Sequence, residues 1–248
     1  MFILALAAGT GPARAADTAA AGDAPAHGPV HIRYQVWAAD SLELHCRYYL
    51  PAAPEAPLVM LLHDRRGRGD DWRSLAEALQ VRGAASLLPD LRGCGRSVRA
   101  PRAVRAAPPR WDGDFRRRLA ADLEAVLAFA ERQPVLEGRG RVLVAAGESS
   151  GLALDLFIAD GRWSRLALIS PLLTEEAPDL ADVERPVLVL ACEGDREAVV
   201  AARRLARQLP PALRRVEYPE CSSRGPRILQ WLPALTDRLG DWILEAGR

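Results

Sequence analysis

The chain has 248 residues, 49% of them hydrophobic, and 33 basic side chains against 32 acidic, a net charge of +1. That length suits one sizeable α/β core, and the even balance excludes nucleic acid or a membrane surface as the main partner. Lysine and asparagine are absent, so every cation of the Lys/Arg pair is arginine. GC-rich codon bias accounts for this, and the chemical consequence is that a Ser-Lys dyad is excluded.

Residues 1–29 read as a leader and linker. Met1 to Gly9 is apolar, and Ala13-Arg14-Ala15 offers a small-residue cleavage pattern of the secretory kind, without the basic n-region. Either the start is truncated or the segment is not a signal. Export would place the protein in the periplasm or outside the cell; otherwise it is cytoplasmic. Ala16 to Pro29 is a flexible connection, and no later stretch approaches the ~20 apolar residues of a membrane span.

Residues 30–248 read as one domain. Val30 to Trp37 and Leu42 to Leu50 alternate with period two and predict a hairpin. Pro57 to Leu62 is a continuous apolar run, the mark of a strand buried on both faces. Trp72, Leu75, Ala76 and Leu79 share one helical face, and Gly83 stops that helix. Ala84 to Leu88 is the next buried strand, followed by an Arg/Pro-rich connection from Leu91 to Arg110. Asp114 is placed to cap a helix carrying Phe115, Leu119, Leu123, Val126, Leu127 and Ala130 on one side.

The apolar run Arg141 to Ala146 then meets Gly147-Glu148-Ser149-Ser150-Gly151, and the helix-like run Leu152 to Asp160 follows. Strand, glycine turn, then helix is the context in which G-x-S-x-G carries meaning. Leu166 to Ile169, Pro186 to Ala191 and Arg215 to Tyr218 are further strands. Thr174 to Glu184 is polar and too short for a cap domain. Arg196 to Gln208 is a helix with Ala198, Ala202 and Leu205 inward. Pro233 opens the last helix, with Leu235, Leu239, Trp242 and Ile243 on one face. Strands alternating with helices predict a mostly parallel central sheet with helices on both faces and no large cap domain.

Three motifs, each at the end of a predicted strand, resemble the α/β-hydrolase family from about Val30 to Leu244. Leu61-Leu62-His63-Asp64-Arg65-Arg66-Gly67 stands where that family has an H-G-x-G-like turn. Asp90-Leu91-Arg92-Gly93-Cys94-Gly95-Arg96-Ser97 looks like its D-x-R-G-x-G-x-S loop. The G-E-S-x-G turn is similar to that of carboxylesterases. The resemblance implies a strained turn that presents Ser149 as nucleophile. It implies an oxyanion hole from the backbone N–H of Ser150 and of Asp64 or Arg65, and Asp195 as the acid. It also makes the strands ending at Cys192 and Cys221 parallel neighbours, which brings these two cysteines close enough for a disulfide in an oxidising compartment.

The resemblance fails at the base. The final loop, Glu220-Cys221-Ser222-Ser223-Arg224-Gly225, has Arg224-Gly225 where the family has His-Gly. All four histidines, His27, His31, His45 and His63, precede Ser149. A serine hydroxyl needs a neighbouring base, and a guanidinium with a pKa above ~12 cannot accept its proton. Arg224 is instead expected to pair with Asp195 through two parallel hydrogen bonds.

Three readings follow. The chain is a relative of carboxylic-ester hydrolases impaired in triad catalysis, a binding protein that uses the cleft for an anionic small molecule or a peptide, or a hydrolase with His63 as displaced base. A histidine bracing the oxyanion turn is the plainer role for His63. No cofactor is implied, and the four cysteines show no metal-ligand spacing. Arg65, Arg66 and Arg68 border the expected cleft; they either make it cationic together with Arg224 or point to solvent and pair with Asp70 and Asp71. The arginines from Arg99 to Arg118 read as a solvated stretch. Substrate and oligomeric state are not legible.

Overall fold

The computed structural model describes residues 29–51, 56–98, 112–132, 140–173 and 178–245. The signal-like leader, most of the Arg/Pro-rich connection and part of the Thr174–Glu184 segment lie outside the described residues.

The hydrophobic patterns form eight strands: β1 (His31–Trp37), β2 (Glu43–Tyr49), β3 (Leu58–Leu62), β4 (Ala85–Pro89), β5 (Arg141–Ala146), β6 (Trp163–Ile169), β7 (Val187–Leu190) and β8 (Arg214–Glu217). They make one sheet in the order β1-β2-β4-β3-β5-β6-β7-β8. β2 pairs antiparallel with β1 and β4, and every other pairing is parallel.

Among the described residues six α-helices cover the sheet: α1 (Arg73–Val81), α2 (Gly113–Glu131), α3 (Ser149–Ala159), α4 (Arg196–Gln208), α5 (Arg227–Trp231) and α6 (Pro233–Leu244). The continuous apolar runs are buried on both faces, as parallel strands between helices must be. Leu58, Met60 and Leu62 of β3 belong to one half of the core, together with buried residues of α2, α3 and α4. Val59 and Leu61 face α1 and α6 in the other half. Each inward helical stripe expected from sequence is buried in one of these halves.

Some boundaries differ from expectation. The cap of α2 is Asp112, which accepts the Phe115 N–H at 3.0 Å. Asp114 lies inside the first turn instead, because a capping side chain must reach the N–H three residues ahead. β6 begins at Trp163 rather than Leu166, and α5 was not signalled by any periodicity, being only five residues long.

The D-x-R-G-x-G-x-S loop is a structural clasp. Asp90 accepts the N–H groups of Gly69 and Arg96, each at 2.8 Å. Arg92 spans Asp40 and Asp122, at 2.6 and 2.7 Å. The carboxyl end of β4 is thereby fixed to the loops flanking the sheet.

Candidate functional site

Ser149, Asp64, Asp195 and Arg224 all lie beyond the carboxyl ends of parallel strands, where open α/β sheets place their sites. Between β5 and α3 the backbone turns at Gly147, whose φ is +58°. A Cβ there would sit 2.5 Å from the Asp64 carboxyl, so the turn and the close approach both require glycine. Ser149 is the first residue of α3, fully buried, and does not share the left-handed conformation. Among the described residues the non-glycine positive φ values belong to Ser41 and Ser170. The strain expected at Ser149 is therefore carried by Gly147, the residue to which it costs least. The Ser149 hydroxyl points inward and donates to the His63 carbonyl.

His63 is fully buried, and burial pushes its pKa down, toward the neutral ring. Nδ1 contacts the Asp64 carbonyl at 2.6 Å, and Nε2 accepts the Leu91 N–H at 2.9 Å. Taken together the two contacts require the Nδ1–H tautomer. Both ring nitrogens are thus spent bracing the turn after β3 against the clasp after β4, and what His63 offers Ser149 is its carbonyl. His31 packs on Tyr49, and His45 lies 3.7 Å from Glu43, both on the β1–β2 side of the sheet.

Two of the three oxyanion donors named by the resemblance, the N–H groups of Arg65 and Ser150, have internal acceptors. The Arg65 N–H is held by Asp64 Oδ1 at 2.5 Å, and the Ser150 N–H by the Gly147 carbonyl at 3.1 Å. Glu148, inside the same motif, adds an acid that motif matching treats as filler. Burial, and then a hydrogen bond shared with Asp64, push its carboxyl up to about 7.

Asp195 caps α4, accepting the Ala198 N–H at 3.3 Å. Its side chain is 2% exposed, against 48% for Arg224. Arg224 Nη2 donates to Asp195 Oδ1 at 2.7 Å and to Glu197 Oε2 at 2.9 Å. The expected two-pronged contact is not formed, because one nitrogen is shared between two carboxylates. Asp195 Oδ2 is left buried with no partner among the described residues. The Arg224 loop is anchored from below: Gly225, at φ +58°, donates its N–H to Ser170 Oγ at 2.9 Å. It is anchored from the side by a Cys192–Cys221 disulfide with Cα atoms 5.0 Å apart. Each bonded cysteine lies three residues before one member of the Asp195–Arg224 pair.

Above these groups opens a cleft of about 810 Å³ between the turn after β3 and the loop running into α5. Asp64, Arg66, Arg224, Arg227 and Trp231 line it, whereas Ser149 and Asp195 are buried and do not. Of the bordering arginines, Arg68 lies 3.8 Å from Asp71, while Asp70 is claimed by Arg47 at 2.5 Å. Of the basic stretch, Arg116 pairs with Asp155 at 3.5 Å and Arg117 with Asp114; Arg99, Arg102, Arg105 and Arg110 lie outside the described residues. Trp231 and Arg227 were not anticipated, since α5 was not. No group of three or more potential metal ligands occurs among the described residues, and no described helix is long and apolar enough to cross a membrane.

This strand order, with the turns beyond β3, β4 and β5, defines the α/β-hydrolase fold. Solved structures share it. The 2,6-dihydroxy-pseudo-oxynicotine hydrolase superposes with a TM-score of 0.70 at 12% identity, over 90% of this chain and 70% of that one. Dienelactone hydrolase from Anabaena variabilis gives 0.67 at 18% identity, over 88% and 99%. An esterase from Exiguobacterium antarcticum gives 0.65 at 13% identity, over 86% and 99%. No protein-family model matches the sequence, and comparison with curated proteins yields no match.

Proposed function

We propose that this protein is a relative of serine carboxylic-ester hydrolases in which ordinary triad catalysis is impaired. One observation carries the reading: the place of the base is taken by Arg224, whose guanidinium is bonded to the carboxylate that would have oriented an imidazole. A guanidinium cannot accept the serine proton. The inward-turned Ser149 hydroxyl, the engaged oxyanion donors and the fully occupied His63 ring support the same reading. Without a base, what remains is a residual of roughly 10³–10⁴ over water, from oxyanion and binding effects.

The second reading, a non-catalytic protein that holds an anionic small molecule in the cleft, is favoured by the arginines lining it. Export to an oxidising compartment accords with the Cys192–Cys221 disulfide.

The deciding experiment is turnover of p-nitrophenyl acetate by pure protein beside Ser149→Ala. Equal, near-background rates are expected. A wild-type rate typical of esterases, abolished by Ser149→Ala, sinks the proposal.

A further inference from the structure

Two of the guanidinium groups that line the cleft make no ion pair among the described residues. The other charged groups that line it have hydrogen-bond partners. Arg224 is bonded to Asp195 and Glu197. Asp64 accepts the Arg65 N–H and shares a hydrogen bond with Glu148. Asp71 accepts the Arg68 N–H at 3.0 Å. Arg66, from the turn after β3, and Arg227, the first residue of α5, are both exposed. Neither makes an ion pair or side-chain hydrogen bond among the described residues.

Beside them stands Trp231, 74% exposed and the most exposed of the large hydrophobic side chains described. Arg227 and Trp231 are four residues apart on α5 and therefore neighbours on one face of it. An indole left in water is a ready stacking surface, enriched where ligands and partners dock. The cleft's volume lies in the range that holds small organic molecules.

We propose that this cleft binds a planar aromatic anion, its carboxylate or phosphate held between Arg66 and Arg227 and its ring laid on Trp231. The proposal names the ligand class for the second, binding reading above and rests on it. Guanidinium forks match carboxylate and phosphate oxygens in a way neutral donors do not. The ring is required by the indole, since a compact anion such as acetate leaves Trp231 in water. Ser149 plays no part, being fully buried and not among the residues that line the cleft.

Isothermal titration of the full chain with benzoate, phenyl phosphate, benzamide and acetate tests the proposal, with circular dichroism to confirm that each variant folds. Benzoate or phenyl phosphate should bind with a Kd of about 1 mM or tighter, and benzamide and acetate at least about tenfold more weakly. Arg66→Gln and Arg227→Gln should each weaken the aromatic anion about tenfold, and Trp231→Ala by several fold. The stronger of benzoate and phenyl phosphate identifies the anionic group. Benzamide binding as tightly as benzoate overturns the proposal. So do arginine variants that leave the Kd unchanged, or a native wild-type protein that binds neither anion. Ester turnover is scored separately. A protein that binds benzoate as described and also turns over esters through Ser149 loses the impaired-catalysis reading and keeps this site. A protein that does neither loses the site and keeps that reading.

Discussion

Replacing Arg224 by methionine keeps an unbranched apolar stem and removes the charged head, which isolates most of what the ion pair contributes. Removing one partner of a fully buried pair costs ~3–5 kcal/mol, because the remaining charge is stranded. Here the burial is one-sided: the Asp195 side chain is 2% exposed and that of Arg224 is 48%. Solvent screens the guanidinium, so the upper figure must be discounted, to about 2 kcal/mol for Arg224→Met. The carboxylate would keep only the cap bond from Ala198. Asp195→Asn should cost less, about 1 kcal/mol, since asparagine still caps α4 and Arg224 can turn to Glu197 and water. The double variant should recover part of the loss, a coupling on the order of 1 kcal/mol. Urea unfolding with the disulfide intact measures all four species; for a chain of this size Arg224→Met corresponds to a Tm lower by about 4–8 °C. Single changes that add without coupling, or an Arg224→Met midpoint equal to wild type, would refute the pairing argument.

Three further outcomes are expected. Arg224→His should raise p-nitrophenyl acetate turnover by about 10- to 100-fold, the low end for a positioned base; the gain must vanish with Ser149→Ala and with Asp195→Asn, and no gain in a folded variant counts against the missing-base reading. The Glu148 carboxyl, at about 7 against an ordinary 4.5, favours its neutral form in the folded protein. Its linked stability is therefore complete below pH ~4.5 and lost as pH rises through ~7, a difference on the order of 1–2 kcal/mol after discounting for partial exposure. Glu148→Gln should flatten that slope in urea midpoints taken from pH 5 to 8, and an unchanged slope would assign it elsewhere. Replacing Cys192 and Cys221 by serine opens a loop of sequence separation 29, worth about 3–4 kcal/mol of unfolded-state entropy. Unfolding midpoints that do not move, in the variant or in reductant, would contradict a formed bond.

The fold was legible because parallel strands buried on both faces write themselves as uninterrupted apolar runs. Leu58–Leu62, Val142–Ala146 and Val187–Leu190 could be read directly. The site was legible as far as motifs mark backbone turns: the turn after β3, the Asp90 clasp and Gly147. Three things were hidden. α5 is too short to show a period, so Trp231 and Arg227 went unremarked. The direction of the Ser149 hydroxyl depends on which residue of the turn takes the positive φ, and two glycines flanking a serine leave that open. The split of one Arg224 nitrogen between Asp195 and Glu197 depends on side-chain reach, which sequence spacing does not encode.

On the proposed reading, the departures from a working esterase are coupled by position. Gly147, by taking the left-handed turn, lets Ser149 enter α3 as an ordinary helical residue and donate a hydrogen bond to the His63 carbonyl. The same glycine admits the Asp64 carboxyl, which caps the Arg65 N–H and shares a hydrogen bond with Glu148. The groups proposed as nucleophile, oxyanion turn and base position thus each have an internal partner, and no single substitution frees all three. This is why Arg224→His is expected to yield a modest gain rather than an esterase. An imidazole beside Asp195 would still compete with the His63 carbonyl for the Ser149 hydroxyl. A second change at Asp64, to glycine or alanine, would release the Arg65 N–H and the pressure on Gly147. Combined with Arg224→His it should give more than the product of the two separate gains. Strict multiplicativity would mean that the oxyanion turn and the base position fail independently, against the coupling argued from Gly147.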